Sequence, residues 1–368
     1  MSKQRNSNIE LLRLMAMIAI VFHHAIVHNA DDLDAVENVP SRILLEFAGT
    51  FVGKTAVCVF FIISIWFLAD RRLTFRDSCR RVWILEREIL FYSVLCYLVY
   101  APTMGTFSVK TLLTRFLPVI TGEWWFVSDY VLLMLVLPFL TTGLKALSTR
   151  DHGILTVFSV AFFGFVQYLP YIGWSLKDSS GIMGLLTVTI VTCYIRWHGE
   201  ARKHRFNERL IAAVSGTVAF ALLVALYVLQ CVNIPLVSTT ASKLWTPMQD
   251  WHSLPVIIIS IAIVGEASRA KAHHWPVIDR MASGTFAIYL ITDTPEAELL
   301  LWTRLFPLHA IGGLPAVVVV ILLIAAGVCM ICTGIDLIRQ ALFHVSIDRN
   351  PGAWFDRLEA YGSDLKRR

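Results

Sequence analysis

Long apolar stretches recur along the whole chain and alternate with short polar segments. An α-helix needs roughly 20 residues to cross about 30 Å of hydrocarbon, and many of these stretches approach that length. Ten such stretches cover residues 9–28, 45–69, 83–101, 124–142, 153–172, 181–198, 209–231, 253–267, 281–301 and 314–338. The pattern predicts an all-α fold, a polytopic membrane helical bundle with about ten transmembrane helices.

The composition supports this interpretation. Of the 368 residues, 56% are apolar or aromatic and only 16% are charged. Soluble domains carry about 25% charged residues, so this chain lacks the polar surface that a water-facing globule needs. The apolar stretches leave no room for a large soluble domain. Any chemistry must therefore occur inside the bundle or at its rim.

Basic residues are distributed unevenly between alternate loops. The loops on the side of the two termini, together with the terminal segments, hold 22 Lys and Arg residues, whereas the opposite loops hold six. Because Lys and Arg concentrate in cytoplasmic loops, we expect both termini to be cytoplasmic. The formal net charge of +5 is then a sign of topology. We expect the lipid bilayer, and no nucleic acid, as the macromolecular environment.

Ionisable residues inside predicted spans are costly and mark function by default. Arg13 and His24 are eleven residues apart in the first span. This separation is about 1100° of helical rotation, which puts both side chains within about 20° of one stripe and about 16 Å apart along the axis. His23 lies about 80° from that stripe. The geometry therefore pairs His24 with Arg13, and puts Arg13 near the cytoplasmic rim and His24 in the outer half of the bilayer.

A structural interpretation of the same residues stays open. Arg13 could extend its guanidinium to cytoplasmic headgroups, and His24 could hydrogen-bond to a neighbouring helix. This structural interpretation accounts better for Arg13 alone than for the stripe and the adjacent histidine pair together.

Other polar side chains reach the depth of His24 because of the directions of their predicted helices. A carboxylate at that depth could orient and polarise the imidazole for general acid–base catalysis. The sequence does not show which one contacts His24, and we take Asp129 as the second catalytic candidate. The polar residues at this depth are Lys54, Glu123, Asp129, Tyr130, Asp293, Glu296 and Glu298.

One competing pattern lies in a short basic loop. His274 and Asp279 fit H-x4-D, a spacing that some lipid acyltransferases with a cytoplasmic site use, although so short a pattern arises easily by chance. The chain has no G-x-S-x-G elbow, P-loop or zinc-type H-E-x-x-H. We expect no metal in the site.

Several segments resemble the membrane acyltransferase family 3. NIELLRLMAMIAIVFHHA is similar to the family's first helix, whose signature is an Arg, ten residues and a His, here Arg13 and His24. VCVFFIISIWFLA, EWWFVSDYVLLMLVLPFL, CYIRWHG and GTFAIYLITD resemble later segments in the family's order. The chain departs from the family at Ile65, where FFxxSG has Gly, and at Thr292, where IYLIH has His. The family's basic K/R-R-x-x-R pattern is not reproduced at Arg80 and Arg81.

The resemblance implies an enzyme of the bacterial inner membrane. Members of the family take acetyl or succinyl groups from cytoplasmic acyl-CoA and place them on extracytoplasmic glycans, lipid-linked sugars or small molecules. On this basis residues 1–340 form a transmembrane acyltransferase domain and residues 341–368 a basic cytoplasmic tail.

The stripe and the resemblance combine into one hypothesis. Arg13, Arg80 and Arg81 bind the phosphates of acyl-CoA, and the pantetheine arm follows the first helix towards His24. Neutral His24 acts as base on an acceptor hydroxyl, so activity should fall below a pH of about 6.5. A covalent acyl-His relay stays open.

Three further side chains are assigned to the substrate. Ser64 and Tyr130 are candidates for orienting His24 or holding the developing oxyanion. Trp125 is a candidate for stacking on a sugar ring, with an interfacial aromatic belt as the alternative.

A transporter or flippase of a lipid-linked glycan is the alternative function. It would also have many helices, buried charges and an aromatic mouth. The sequence shows no evident inverted repeat of the kind that transporters often have. Passage of a substrate across the membrane without chemical change would favour this alternative.

Overall fold

The structure is a computed structural model that describes residues 6–29, 33, 36, 38–166, 181–199, 208–312, 316–347, 349–350 and 352–365. All regular secondary structure in these ranges is helical. The first half of the chain contains α1 (Ser7–Val27), α2 (Val39–Leu68), α3 (Phe75–Met104), α4 (Val109–Thr114), α5 (Trp125–Ala146), α6 (Thr149–Phe163) and α7 (Ile182–His198). The second half contains α8 (Glu208–Gln230), α9 (Pro235–Gln249), α10 (Leu254–Arg269), α11 (Pro276–Ala282), α12 (Thr285–Thr292), α13 (Val317–Val345) and α14 (Ala353–Leu365). Single helical turns cover Pro118–Thr121, Pro295–Glu298 and Leu308–Ile311.

Five of the described helices are long and apolar enough to cross a membrane: α1, α2, α5, α8 and α13. The prediction of an all-helical protein with membrane-spanning helices is confirmed to that extent. Helices α6, α7 and α10 coincide with predicted spans but have only 15, 17 and 16 residues. The predicted end of the fifth span, beyond residue 166, lies outside the described residues.

The ninth predicted span, 281–301, is not a continuous helix. It is divided into α11, α12, the turn Pro295–Glu298 and a wide π-helical turn at Leu299–Leu305. Helix α12 ends at Thr292 with Asp293 as its C-cap, and the Thr294 side chain caps the next turn, where Pro295 is the first residue. Proline is favoured at that first position because its missing N–H needs no partner there. The break leaves Asp293 at the end of an otherwise buried helix.

Helix α1 occupies the middle of the bundle and packs against α2, α10, α11, α12 and α13. Its start is fixed by the segment around α11. The Ser7 N–H donates to the His273 carbonyl at 3.0 Å, and the Ser7 hydroxyl donates to the Asp279 carboxylate at 2.7 Å. Asp279 of the H-x4-D pattern therefore ties α11 to α1, and His274 of the same pattern is exposed.

Two glycines let α1 and α2 approach closely. A Cβ at Gly53 would lie 2.2 Å from the Cβ of His23, and a Cβ at Gly49 would lie 2.7 Å from the Cγ2 of Ile26. Gly49 and Gly53 form a GxxxG pattern, which brings membrane helices together because small residues leave the backbone accessible. A π-helical turn at Ala48–Val52 contains Gly49 and ends immediately before Gly53.

A buried ion-pair network holds the segment after α3. Arg115 is 8% exposed, and its guanidinium contacts Glu123 at 2.5 Å and Glu296 at 2.8 Å. The Ser93 hydroxyl lies within hydrogen-bond distance of the Glu123 carboxylate and of the Arg115 carbonyl, and its single proton is shared between these two acceptors. The network joins α3, the α4 region and the turn that follows Asp293, so it fixes the position of the broken ninth segment.

The C-terminal segment folds back onto α3. Arg76 contacts Asp356 at 3.0 Å and Glu359 at 2.5 Å, and Arg80 contacts Asp356 at 3.4 Å. The expected domain boundary at residue 340 lies within α13, which continues to Val345. The described part of the tail thus brings carboxylates to the arginines of α3, whereas the basic residues 366–368 lie outside the described residues.

Candidate active site

A small cavity of about 50 Å³ lies between α1, α2, α5 and α12, and we call it the histidine cavity. Its polar and aromatic lining consists of His23, His24, Lys54, Phe60, Trp125, Phe126, Phe286 and Tyr289. His24 comes from α1, Lys54 from the turn of α2 that follows Gly53, the two α5 aromatics from its first turn, and Tyr289 from α12. The cavity therefore brings polar and aromatic side chains from four helices together around the imidazole of His24.

Asp293 is the carboxylate beside His24. The His24 Nδ1 atom lies 3.3 Å from the Asp293 Oδ1 atom, and both side chains are 12% exposed. A carboxylate facing Nδ1 favours the tautomer with the proton on that nitrogen, which leaves the lone pair of Nε2 available. This arrangement suits a general base that must receive a proton at Nε2.

His23 has a different set of contacts. In the π-helical turn of α2 the Gly53 N–H bonds to the Ala48 carbonyl instead of the Gly49 carbonyl that an α-helix would use. The Gly49 carbonyl accepts a hydrogen bond from the Nδ1 of His23, which is 6% exposed. His23 thus holds α1 to α2 through a backbone group, although its ring also borders the histidine cavity.

A second and larger cavity, of about 590 Å³, lies further towards the start of α1, and we call it the arginine cavity. Its basic lining consists of Arg13, Arg71, Arg80 and Arg81. Arg13 pairs with Glu10 at 2.9 Å. Within the part of the chain that the structure describes, this cavity gathers the three arginines that the sequence assigns to the donor. Four guanidinium groups at one opening favour an anionic ligand.

Asp77 lies at the rim of the arginine cavity and caps α3. Its carboxylate accepts hydrogen bonds from the Thr74 hydroxyl at 2.7 Å and the Thr74 N–H at 3.0 Å. These hydrogen bonds hold the pKa of the Asp77 carboxyl below its usual range. Asp77 is therefore ionised at neutral pH, and its negative charge weakens the positive potential on its side of the cavity opening.

The two cavities follow one another along the same three helices. On α1 Arg13 lines the arginine cavity and Met17, one turn further, lines the histidine cavity. Helix α5 repeats this with Tyr130 and Phe126, whose rings stack with centroids 5.9 Å apart and planes inclined by 15°. On α2 the corresponding pair is Ser64 and Phe60. An aromatic layer one turn thick separates the cationic pocket from the imidazole.

Residues 6–334 match the sequence profile of a family described as an acyltransferase domain, acyltransferase family 3. The chain belongs to acyltransferase family 3. The match covers nearly the whole chain, so the protein is an acyltransferase, and its membrane-length apolar helices make it a membrane acyltransferase. No curated protein and no solved structure gave a significant match.

The structure separates the site residues that the sequence grouped around His24. Asp129 of this acyltransferase lies against α7, where its Oδ2 atom is 2.5 Å from the position of a Cβ at Gly181. Ser64 and Tyr130 open into the arginine cavity, while Trp125 lines the histidine cavity and is 41% exposed. The residue that the sequence left undecided, the carboxylate beside His24, is Asp293.

One group of side chains in the described residues is close enough to hold a metal ion. Ligand atoms of His24, His28 and Asp293 all lie within 4.8 Å of one another. His28 follows His24 by one turn of α1, and its Nδ1 atom is 3.5 Å from the Glu298 Oε2 atom. These four side chains surround the end of α1 that is furthest from the arginine cavity.

Proposed function

We propose that this membrane acyltransferase moves an acetyl or succinyl-type group from cytoplasmic acyl-CoA to a hydroxyl of an extracytoplasmic glycan or lipid-linked sugar. The observation that supports this most directly is the pairing of His24 with Asp293, because His24 also lines a cavity that lies one helical turn beyond an arginine-lined pocket. One pocket then binds the anionic part of the donor, and the other contains the base.

The donor half of the proposal rests on the arginine cavity. Coenzyme A carries phosphates, which charge-assisted hydrogen bonds from Arg13, Arg80 and Arg81 would neutralise. From Arg13 to His24 the helix rises about 16 Å, comparable to the length of a pantetheine arm. Such an arm would pass between Phe126 and Tyr130 on α5 and the facing side chains of α1 and α2. Ser64 and Tyr130 then contact the donor arm.

The proposed chemistry is one proton transfer coupled to acyl transfer. The Nε2 atom of His24 accepts the proton of the acceptor hydroxyl, and the hydroxyl oxygen forms a bond to the thioester carbonyl carbon. The carbon–sulfur bond then breaks, and the imidazolium returns the proton to the thiolate to give free CoA. Asp293 stabilises the transient imidazolium. Lys54, on the wall of the same cavity, is positioned to face the oxyanion of the intermediate.

The acceptor half follows from the size of the histidine cavity. A volume of about 50 Å³ holds a few water molecules, so it admits the reacting hydroxyl and excludes most of a sugar ring. The ring would then remain at the mouth, where the partly exposed Trp125 offers a face for stacking. The same cavity limits the entry of water, which would otherwise hydrolyse the donor.

The proposal includes a topology. We infer about ten transmembrane segments in a bacterial inner membrane, with both termini and the arginine cavity on the cytoplasmic side. The excess of Lys and Arg in alternate loops supports this orientation. Residues 1–340 then form the catalytic membrane domain, and α14 lies on the cytoplasmic surface, where Asp356 competes with donor phosphates for Arg80.

The test is CoA release by the purified full chain in proteoliposomes, with extracted cell-envelope glycans as acceptor. We expect the turnover of His24→Ala to fall by about 10²- to 10⁴-fold. We expect the folded fraction of His23→Ala to turn over acyl-CoA at a rate near that of the wild type. A thermal melt of each variant separates loss of fold from loss of chemistry. Wild-type turnover by His24→Ala would overturn the proposed role of His24, and glycan movement without CoA release would favour transport.

A further inference from the structure

We propose that His24, His28 and Asp293 form a binding site for a divalent transition metal ion, Zn²⁺ above all, and that the bound ion inhibits acyl transfer. Glu298 supplies a fourth ligand. The binding site stands on the geometry of these residues, whereas the inhibition rests on the proposed function of His24 as base.

The distances between the ligand atoms support a metal-binding site. His24 and His28 lie one turn apart on one face of α1, with ring centroids 5.5 Å apart. Tetrahedral Zn²⁺ with bonds of about 2.0–2.1 Å places its ligand atoms about 3.4 Å apart. The His24–Asp293 and His28–Glu298 pairs are already 3.3 Å and 3.5 Å apart. The ligand atoms of His24, His28 and Asp293 are at most 4.8 Å apart, so a contraction of about 1.4 Å brings these three to the separation that Zn²⁺ requires. Glu298 lies outside this group of three and joins it by turning towards the ion together with His28.

The difference in burial indicates which side chains move to bind the ion: the outer pair, His28 and Glu298, and not the inner pair, His24 and Asp293. The side chains of His24 and Asp293 are 12% exposed, while those of His28 and Glu298 are 26% and 30% exposed. The inner pair is therefore held by its surroundings, and the outer pair has room to turn towards an ion. The same exposure gives an ion in solution access to the site.

The ligand types select the class of metal. Two imidazoles and two carboxylates suit Zn²⁺ and its neighbours in the first transition row, whereas Ca²⁺ and Mg²⁺ prefer oxygen ligands alone. Two carboxylates also outweigh the single cation, Lys54, that lines the adjoining cavity. No metal-binding motif is visible in the sequence because Asp293 and Glu298 come from a segment about 270 residues away from α1.

Inhibition follows from the nitrogen that the ion would occupy. The Nδ1 atom of His24 faces Asp293, so an ion between them takes the place of the proton on Nδ1. The ring proton then moves to Nε2, which can no longer accept the proton of the acceptor hydroxyl. Coordination also removes the negative charge with which Asp293 would stabilise the imidazolium.

The binding test uses Co²⁺ as a spectroscopic probe of the detergent-purified full chain. We expect one Co²⁺ per chain with the visible absorption of a tetrahedral or five-coordinate site, displaced by Zn²⁺. His28→Gln and Glu298→Gln should each weaken binding by about tenfold or more. The matched control is His344→Gln, which changes an exposed histidine in the last turn of α13 and should bind Co²⁺ like wild type. A wild type without this spectrum, or a His28→Gln variant that binds equally, would overturn the site.

The inhibition test measures CoA release against Zn²⁺ concentration, with each variant compared to its own metal-free rate. We expect Zn²⁺ to inhibit the wild type and His344→Gln alike, and the inhibitory concentration to rise about tenfold for His28→Gln, matching its loss of affinity. Co²⁺ binding without inhibition by Zn²⁺ would overturn the inhibition and, with it, the role of His24 as base. Turnover without any metal binding would overturn the site and leave the proposed function intact.

Discussion

Replacing Asp293 by Asn removes the negative charge beside His24 at nearly constant side-chain volume. At 3.3 Å and an effective dielectric constant of about 20, the attraction between Asp293 and protonated His24 is about 5 kcal/mol. A loss of this size would slow a step through the imidazolium by almost four powers of ten, since each decade corresponds to about 1.4 kcal/mol. The Asn side-chain oxygen can accept a hydrogen bond from Nδ1 and so recovers part of that energy, and we expect kcat to fall by about 10²- to 10³-fold.

The assay is acyl-CoA turnover at saturating donor and acceptor, with Asp129→Asn as the matched control. Asp129 undergoes the same chemical change, but it lies against Gly181, the N-cap residue of α7, and we expect the kcat of this variant to change by less than about threefold. A measured KM for the donor should be similar in both variants, because neither residue lines the arginine cavity. Asp293→Asn with more than half of the wild-type kcat would refute the pairing, as would a large loss confined to Asp129→Asn.

Three further predictions concern other parts of the protein. Asp356→Asn should lower the KM for acyl-CoA by about two- to fivefold, because an exposed ion pair contributes about 0.2–1 kcal/mol, and an unchanged KM would exclude competition by the tail. Gly53→Ala should destabilise the protein by about 1–3 kcal/mol through overpacking, with Gly143→Ala, whose Cβ meets nothing within 4 Å, as a neutral control in thermal melts. Arg115→Ala should destabilise it by about 3–5 kcal/mol by leaving two buried carboxylates unpaired, whereas Arg209→Ala removes an exposed pair worth less than about 1 kcal/mol; equal melting temperatures for these two variants would argue against the buried network.

The features of α1 were accessible from the sequence because they depend on a single helix. Arg13 and His24 share a stripe by helical rotation alone, and the structure places them at the two cavities that follow one another along α1. The cluster of arginines around residue 80 could also be predicted, since Arg80 and Arg81 lie next to each other in the polar first turns of α3.

The partner of His24 could not be predicted from depth alone. Asp129 and Asp293 were both expected near the outer surface, but the sequence does not show how helices that are far apart in the chain are rotated relative to one another. It therefore does not show which carboxylate faces His24. The break after Thr292 decides the matter, because it turns the Asp293 carboxylate towards α1. A signal for that break was present in Thr294 and Pro295, a capping residue followed by proline.

The close approach of α1 and α2 was also readable in part. Gly49 and Gly53 form the small-residue spacing that membrane helices use for contact. The π-helical turn at Ala48–Val52 had no signal in the sequence, and this turn leaves the Gly49 carbonyl free to accept the hydrogen bond from His23. The different roles of two adjacent histidines thus depend on tertiary structure.

The central claim is that the arginine cavity binds the donor while His24 performs the chemistry. Steady-state kinetics of CoA release by Arg13→Gln and His24→Gln, at varied acyl-CoA and saturating acceptor, tests this division most directly. The account predicts that Arg13→Gln raises the KM for acyl-CoA by about tenfold or more with kcat largely kept, since a lost phosphate contact costs about 1.5–3 kcal/mol. His24→Gln should lower kcat by at least about 10²-fold with KM nearly unchanged. The reverse pattern, or equal effects of both variants on kcat and KM, would contradict the account.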